Sequence, residues 1–553
     1  MNTPPPFPPV KDLPSASPLA QQQLQDRLLS FFKYFSLLGI LHLIYFGLLI
    51  LFAPPSLRVQ YIPDDAFYYL ELSKNFSDYK YWTFDSGISV TSGFHLLNAY
   101  LLTGLYTLLK PGTESFVQIS AAVGILLTAS MAALVWRKAW RNRNLYLLIF
   151  LATTTTTPNF LLNSISITEW SLGLTLAVCY FYFFHRSITE QENFAKILFL
   201  LGLAMSLARS DSGLLPLSIW IADLHVRGAK KATASFIGLA GAAVGVSLLL
   251  AHNWYFTNEF LQASAKVKAH WAQIQGVAGA GSIVTLVQIF SVLGLDLTPE
   301  GFRQSSTIFA VEVLLAPILL IGLGWKTRHQ KTLTSGIGLV EPERQRLALP
   351  LAAFLCLISY MLFYRFSIGQ QQWYTVNLIV PVTCLYTTAG WYLHKRLLPE
   401  TNLTAIWFTL AAFITIGFNV WSLYPLNGLN APWPHQSAVR AAGIYLNDNP
   451  LDQQVGSWNA GIIGYYQGGQ VVNLDGLANN DAARYVIDNR LDNYITQTQI
   501  GYLIDFDNMF LIPRFALRGG YVNAPFLAKL SPIQTFDNGQ FPEWKFLRLY
   551  KIK

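Results

Sequence analysis

YFSLLGILHLIYFGLLILFA, residues 34–53, contains no Asp, Glu, Lys or Arg. About 20 apolar residues in a row make a helix long enough to cross the hydrocarbon core of a bilayer. Comparable stretches recur at about 117–136, 145–160, 166–184, 194–208, 212–226, 232–252, 306–325, 347–364, 373–393 and 403–424. Lipid cannot satisfy a bare backbone N–H or C=O, so repeated spans of this kind form an all-α bundle. Segments 194–208 and 212–226 are short enough to be read instead as one broken helix. Composition agrees with a polytopic membrane protein. Of 553 residues, 52% are hydrophobic and only 12% are charged, roughly half the charge of an average soluble protein.

Net charge and cysteine content add limits. A net charge of +8 would suggest nucleic acid as a partner of a soluble protein. Here the basic residues gather in short connections between spans: Arg137, Lys138, Arg141 and Arg143; Arg227, Lys230 and Lys231; Lys326, Arg328 and Lys331; Lys395 and Arg396. With about eleven spans and a cytoplasmic N-terminus, every cluster falls on the cytoplasmic side, as the positive-inside rule requires. Loops 54–116 and 253–305 then lie outside, and so does the chain after about Pro425. This arrangement needs the stretch 96–109 to enter the interface without crossing, since it is short for a span. Both loops mix aromatic, apolar and charged residues, a pattern for interfacial helices over the bundle. Cys179, Cys356 and Cys384 all lie in apolar segments, with no spacing for a disulfide framework or a zinc site. Residues 1–30 are rich in Pro and Gln, lack the apolar region of a signal peptide, and read as a disordered cytoplasmic tail.

Beyond residue 425 the pattern changes. QVGSW, GQVVNLDG, GYLIDF and WKFLRLYKI read as strands, and residues 481–494 read as a helix. Residues 425–553 are thus expected to form a soluble, extracytoplasmic α/β domain, and residues 31–424 the transmembrane domain.

Two adjacent acids, Asp64 and Asp65, follow the first span in YIPDDAFYYLELSKNF. Pro63 followed by a helical pattern puts them at a helix N-terminus, where anions are favoured. Like charge at such close range keeps one carboxyl protonatable near neutral pH, which suits a general base acting on a hydroxyl. A helix cap beside a solvated neighbour would leave the same pattern.

DDAFYYLELSKNF (64–76) followed by YWTFDSGISVTSGFHLLNAYLL (81–102) resembles the first outer loop of the C-type glycosyltransferase superfamily. Its bacterial polytopic members are related to protein O-mannosyltransferases, the lipid A aminoarabinose transferase and arabinofuranosyltransferases. TSGFHLLN (91–98) is similar to the family's TNGYHPLW-like stretch, with His95 at its histidine and Leu96 where proline is usual. The resemblance implies an enzyme of the bacterial cytoplasmic membrane. Its active site would face outward, its donor would be a polyprenyl-phosphate sugar, and transfer would invert the anomeric carbon. Asp64 would be the base, and Asp65 would orient it or a bound ion. A divalent cation could sit on Asp64 and Asp65, although the chemistry does not require one. The acceptor would be a glycan, lipid or protein, with membrane lipids as surroundings and no nucleic acid.

Shorter matches extend the resemblance. NSISITEW places Glu169 at a family glutamate, and LARSDSGLL places Arg209 and Asp211 in an RxDG-like turn. NWYFTNEFLQASAKVKAHW places Lys268, with Lys266 as the alternative, at a loop lysine. QQQWYTV supplies Trp373 and Tyr374. The tail run VGSWNAGIIGYYQGGQVVNLDGLANN adds Trp458, Asn459 and Asp475 as candidates to line a sugar site. Breaking the glycosyl–phosphate bond loads charge on phosphate, which fixed cations stabilise. Arg209, Lys268 and Arg365 are the candidates, with a headgroup contact as the plainer role for each. Trp373 and Tyr374 serve equally as interfacial belt residues, and Trp458 as core. No nucleotide-binding loop of the Walker or GxGxxG type is present. A transporter or lipid flippase would show paired broken helices in two related halves, and no such symmetry is visible. An oligosaccharide ligase fits the same residues as a single-sugar transferase.

Overall fold

The computed structural model describes residues 18–190, 192–275, 280–293, 347–367, 371–393, 403–424, 431–511, 513–520, 528–538 and 544–553. The span expected at 306–325 and the clusters at Lys326–Lys331 and Lys395–Arg396 lie outside them. The architecture is a mostly helical bundle followed by a small mixed sheet. Among the described residues five helices are long and apolar enough to cross a membrane: Gln22–Leu51, Thr113–Arg141, Thr233–Thr257, Ala348–Phe366 and Thr404–Trp421. A sixth span results if one bent pair counts as a single crossing. These mark an integral membrane protein.

The bent pair joins Leu145–Thr154 to Pro158–Ser164 at 71°, where a single span was expected over 145–160. Its cause is local. Pro158 has no N–H to continue the first helix, and the Thr157 hydroxyl accepts from Phe160 N at 3.2 Å, capping a new one. The segments 194–208 and 212–226 form two helices, Ala195–Ala208 and Leu214–Arg227, joined by the 3₁₀ turn Ser210–Gly213. Helix Ala195–Ala208 packs directly on Thr233–Thr257, whose Gly238, Gly241 and Gly245 let the backbones approach. A Cβ at Gly202 would run into the Gly238 carbonyl, the small-residue contact typical of helices in lipid. At the N-terminus the first helix starts at Pro18, so residues 18–30 are helical and not disordered. The sequence there is rich in Leu and Gln, both good helix formers, with Pro at the tolerated first position.

Two helices in 54–116 cover one end of the bundle, Asp64–Tyr79 and Leu96–Leu109. The second, at 14 residues, is the segment expected not to cross. In 253–305, Ala263–Ile274 and Ala280–Val292 are helical.

The described residues of the tail form five strands: β1 Gln454–Ser457, β2 Val471–Asn473, β3 Ile500–Phe506, β4 Leu530–Asp537 and β5 Phe546–Ile552. Their order is β2-β1-β3-β5-β4. β1 pairs parallel with β2 (Val455 opposite Val471) and with β3, while β5 runs antiparallel between β3 and β4. The parallel half needs crossover connections. Helix Ala460–Gln467 provides one; Asn480–Ile487 and Leu491–Gln497 provide the other. The single helix expected over 481–494 is therefore broken, with Asn489 in the left-handed region at φ 55. Strand β4 and helices Gln436–Asp448 and Ala460–Gln467 were not anticipated.

The tail docks on the 54–116 loop. Asn480 N donates to Val90 O at 3.0 Å, and its Oδ1 accepts from Ser92 N at 2.8 Å. Gly93 lies so close to the Leu477 carbonyl that no side chain would fit. Glu114 bridges Arg58 (3.0 Å) and Arg440 (2.8 Å), tying loop to tail a second time.

Candidate active site

Pro63 is extended (φ −63, ψ 152) and opens the helix Asp64–Tyr79, so both acids occupy its first turn. Neighbours on a helix point about 100° apart, and the two carboxylates face different surroundings. Asp64 turns to the tail. It accepts from Gly461 N at 3.2 Å and Ile462 N at 2.7 Å, in the first turn of Ala460–Gln467. A Cβ at Gly461 would clash with Asp64. Burial pushes the Asp64 carboxyl up to about 7; the Ile462 N–H opposes the rise and the Asp65 charge adds to it. Asp65 turns to the bundle and makes no hydrogen bond or ion pair among the described residues. Burial raises its carboxyl, the Lys268 charge pulls it back, and Glu169 adds to the rise.

The bundle brings the cations together where its helices end. Arg209 lies between Ala195–Ala208 and the turn Ser210–Gly213 and is only 2% exposed. It is ion-paired with Glu169, and it donates to Asp211 through Nε (2.9 Å) and Nη2 (3.1 Å) and to the Tyr364 hydroxyl (3.2 Å). Its guanidinium also sits 4.3 Å from the centre of the Tyr374 ring. Burial would raise the Asp211 carboxyl, but the charge and hydrogen bonds of Arg209 hold it below its ordinary value. Lys268, on helix Ala263–Ile274, donates to the Tyr374 hydroxyl at 2.7 Å. No carboxylate reaches it within ion-pair distance among the described residues, so its other N–H donors remain for a ligand. Burial lowers the Lys268 ammonium, but the Asp65 charge and the hydrogen bond to Tyr374 raise it above its ordinary value. Lys266 points elsewhere, to Glu259 at 2.5 Å, which favours Lys268 of the two lysines. His95 Nε2 lies 3.6 Å from Glu169, whose other oxygen accepts from the Tyr69 hydroxyl at 2.9 Å. Burial lowers the His95 imidazole, and among the described residues its buried Nδ1 has no hydrogen-bond partner.

The tail adds a third carboxylate. Asp475 accepts from Leu477 N at 2.7 Å; burial pushes its carboxyl up to about 7, and the Asp65 charge contributes. Asp64, Asp65 and Asp475 thus sense one another across the loop–tail boundary. Two expected aromatic residues lie elsewhere. Trp373 is buried in the bundle core. Trp458 fills the tail core with Val472 and Leu474, donating to Gly519 O at 3.3 Å. Asn459 is held by Asp505, its Nδ2 donating at 2.7 Å. Arg365 is exposed and outside the cluster.

Sequence reasoning missed Tyr68, Tyr69 and Tyr364. The first two carry a readable signal, because they follow Asp64 and Asp65 at the i, i+4 spacing that puts side chains on one helix face. Tyr364 has none; only the packing of Ala348–Phe363 brings it to Arg209. The described residues hold no group of three His, Cys, Asp or Glu that could hold a metal ion. The Asp64 oxygens already accept two peptide N–H groups.

The family described as "Domain of unknown function (DUF8728)" matches residues 430–548. No curated protein matches the chain. Among solved structures, the chain is similar to the Archaeoglobus fulgidus oligosaccharyltransferase tethered with an acceptor peptide. That match has 11% identity and a TM-score of 0.48, over 93% of this chain and 74% of that one. The same enzyme in complex with Zn and sulfate matches at 11% identity and a TM-score of 0.46, over 88% and 69%. ArnT from Cupriavidus metallidurans bound to undecaprenyl phosphate matches at 12% identity and a TM-score of 0.46, over 92% and 97%.

Proposed function

We propose that this chain is an inverting glycosyltransferase that moves a sugar from a polyprenyl-phosphate carrier to a hydroxyl acceptor on the extracytoplasmic side of the membrane. The observation that carries the reading is the convergence of Asp65, His95, Glu169, Arg209, Asp211, Lys268 and Tyr374, far apart in sequence, on one end of the bundle. The tail closes over that end with Asp475 and holds Asp64.

The sides of the cluster suit the halves of an in-line displacement. An acceptor oxygen attacks the anomeric carbon, the carbon–oxygen bond to phosphate breaks, and its electron pair goes to the phosphate oxygen. Lys268 supplies donors to that oxygen as charge grows on it. Arg209 acts less directly: with Glu169 and Asp211 neutralising it, it fixes Tyr374 and through it Lys268. The base belongs on the face opposite the phosphate. Asp64 lies on the tail side, away from the cations, with its carboxyl near 7, matched to proton transfer near neutral pH. Two peptide N–H groups fix its direction. Asp65, between Asp64 and Lys268 in charge environment, orients the reacting groups. No step is routed through a metal ion. The eleven-span topology, with the N-terminus cytoplasmic and the tail outside, belongs to the same proposal.

The test uses the full chain in nanodiscs with farnesyl phosphates carrying radiolabelled sugars and a native envelope extract as acceptor. The expected result is release of farnesyl phosphate together with a labelled product of inverted anomeric configuration. A flippase would move the lipid between leaflets and leave the glycosyl–phosphate bond intact, and that outcome would replace this reading. Transfer of a preassembled glycan but no single sugar would point to a ligase.

A further inference from the structure

Tyr68 lies one helical turn after Asp64 and is 8% exposed. Its hydroxyl oxygen accepts two hydrogen bonds from the tail, from Ala460 N at 3.1 Å and from Asn473 Nδ2 at 3.0 Å. A phenol has two acceptor sites and one proton to donate. Both acceptor sites are taken, and among the described residues no acceptor receives the proton. Asp475, Asp64 and Asp65 all act on the phenol electrostatically, yet among the described residues none accepts a hydrogen bond from it. A buried donor left without an acceptor is costly, so the fold holds an O–H directed at something it does not itself supply. The surrounding groups are neutral amides and carboxylates, which rules against an anion there. A neutral hydroxyl, able to accept from Tyr68 and donate to a carboxylate, satisfies every group.

We infer that Tyr68 is a specificity-determining residue whose hydroxyl donates to a sugar hydroxyl bound between the carboxylates and the tail, while its oxygen accepts from Ala460 N and Asn473 Nδ2. The inference rests on the glycosyl-transfer reading above, and it makes the tail part of substrate recognition. The sugar hydroxyl belongs to the donor or to a glycan acceptor.

A binding cycle on the full chain in nanodiscs tests this. The probes are farnesyl phosphates carrying glucose, mannose or arabinofuranose, the matching methyl glycosides, and monodeoxy analogues of each. In the natural protein, deletion of one particular hydroxyl should weaken binding about tenfold. Tyr68→Phe should bind the parent sugar about tenfold more weakly and be indifferent to deletion of that same hydroxyl. An effect in the farnesyl phosphate series assigns the hydroxyl to the donor; an effect in the methyl glycosides alone assigns it to the acceptor. Asn473→Leu removes one tether of the tail and keeps the phenol, so it should retain sensitivity to the hydroxyl. Equal sensitivity of the natural protein and Tyr68→Phe to every deletion overturns the inference. So does loss of sensitivity in both variants, since Tyr68 would then only fasten the tail. Failure to bind any farnesyl phosphate is a failure of the donor reading, and the methyl glycosides still decide on Tyr68. Binding of neither series overturns both.

Discussion

The two sides of the site treat charge in opposite ways. On the bundle side, Arg209 is matched by Glu169 and Asp211 and bonded to Tyr364, so nearly every donor and acceptor is satisfied from within. On the loop–tail side, Asp64, Asp65 and Asp475 have no Lys or Arg at ion-pair distance among the described residues, and Tyr68 keeps an unused proton. A saturated network fixes geometry, because removing one member leaves buried charge unpaired. An unsaturated one is completed by a ligand or by protons. The difference separates residues that hold the site from residues that meet the substrate, although both sets are equally charged in the sequence.

The sharpest break of this comparison should come from Arg209→Ala, which strands Glu169 and Asp211. The loss should be about 3–5 kcal/mol of folding stability, read as a large drop in melting temperature in detergent. Arg209→Lys should not restore it, because an ammonium cannot reproduce the forked contacts. Lys268→Ala should behave differently. It removes a donor that is not committed to a carboxylate, so the protein should melt almost normally. Transfer should fall by about 2–4 kcal/mol of transition-state stabilisation, measured as kcat with a farnesyl phosphate donor.

The acid side should reveal itself through pH. A base whose carboxyl titrates near 7 must be ionised to act, so kcat should rise with pH up to about 7 and then level. Asp475 holds Asp64 up through like charge, so Asp475→Asn should move that rising limb to lower pH. An unmoved limb would detach Asp475 from the base. The smallest effect should belong to Lys266→Ala, which loses a partly exposed pair with Glu259 in the loop 253–305, worth about 1 kcal/mol or less. Its transfer rate should match the natural protein.

Five of the expected spans, those at 34–53, 117–136, 232–252, 347–364 and 403–424, were legible because a 20-residue apolar run has few other readings; the stretches at 166–184, 194–208, 212–226 and 373–393 form helices that are not long and apolar enough to count as spans by themselves. Lys268 was legible only through the resemblance of its loop, and the spacing left Lys266 equally eligible until helix Ala263–Ile274 turned one to Tyr374 and the other to Glu259. The bend at Thr157 was written in Thr157-Pro158 but hidden inside an apolar stretch. Trp458 was misleading because an indole serves a core as readily as a sugar site, and the choice depends on partners such as Gly519 that only the fold supplies. The pairing of Arg209 with both Glu169 and Asp211 could not be read at all. It joins a helix start at 170 to a turn at 210, and no local pattern records it.

Single-turnover transfer by Asp64→Asn tests the central claim most directly. The substitution keeps the shape of the side chain and removes its basicity, while the saturated bundle side and Lys268 stay in place. Transfer of radiolabelled sugar from a farnesyl phosphate in nanodiscs should fall by about 10²–10⁴, with donor binding close to that of the natural protein and a modest drop in melting temperature, because the Asn oxygen can still accept from Ile462 N while Gly461 N loses its acceptor. Near-normal transfer by Asp64→Asn, with the loss appearing only in Asp65→Asn, would contradict the assignment of the base to the residue that the tail holds.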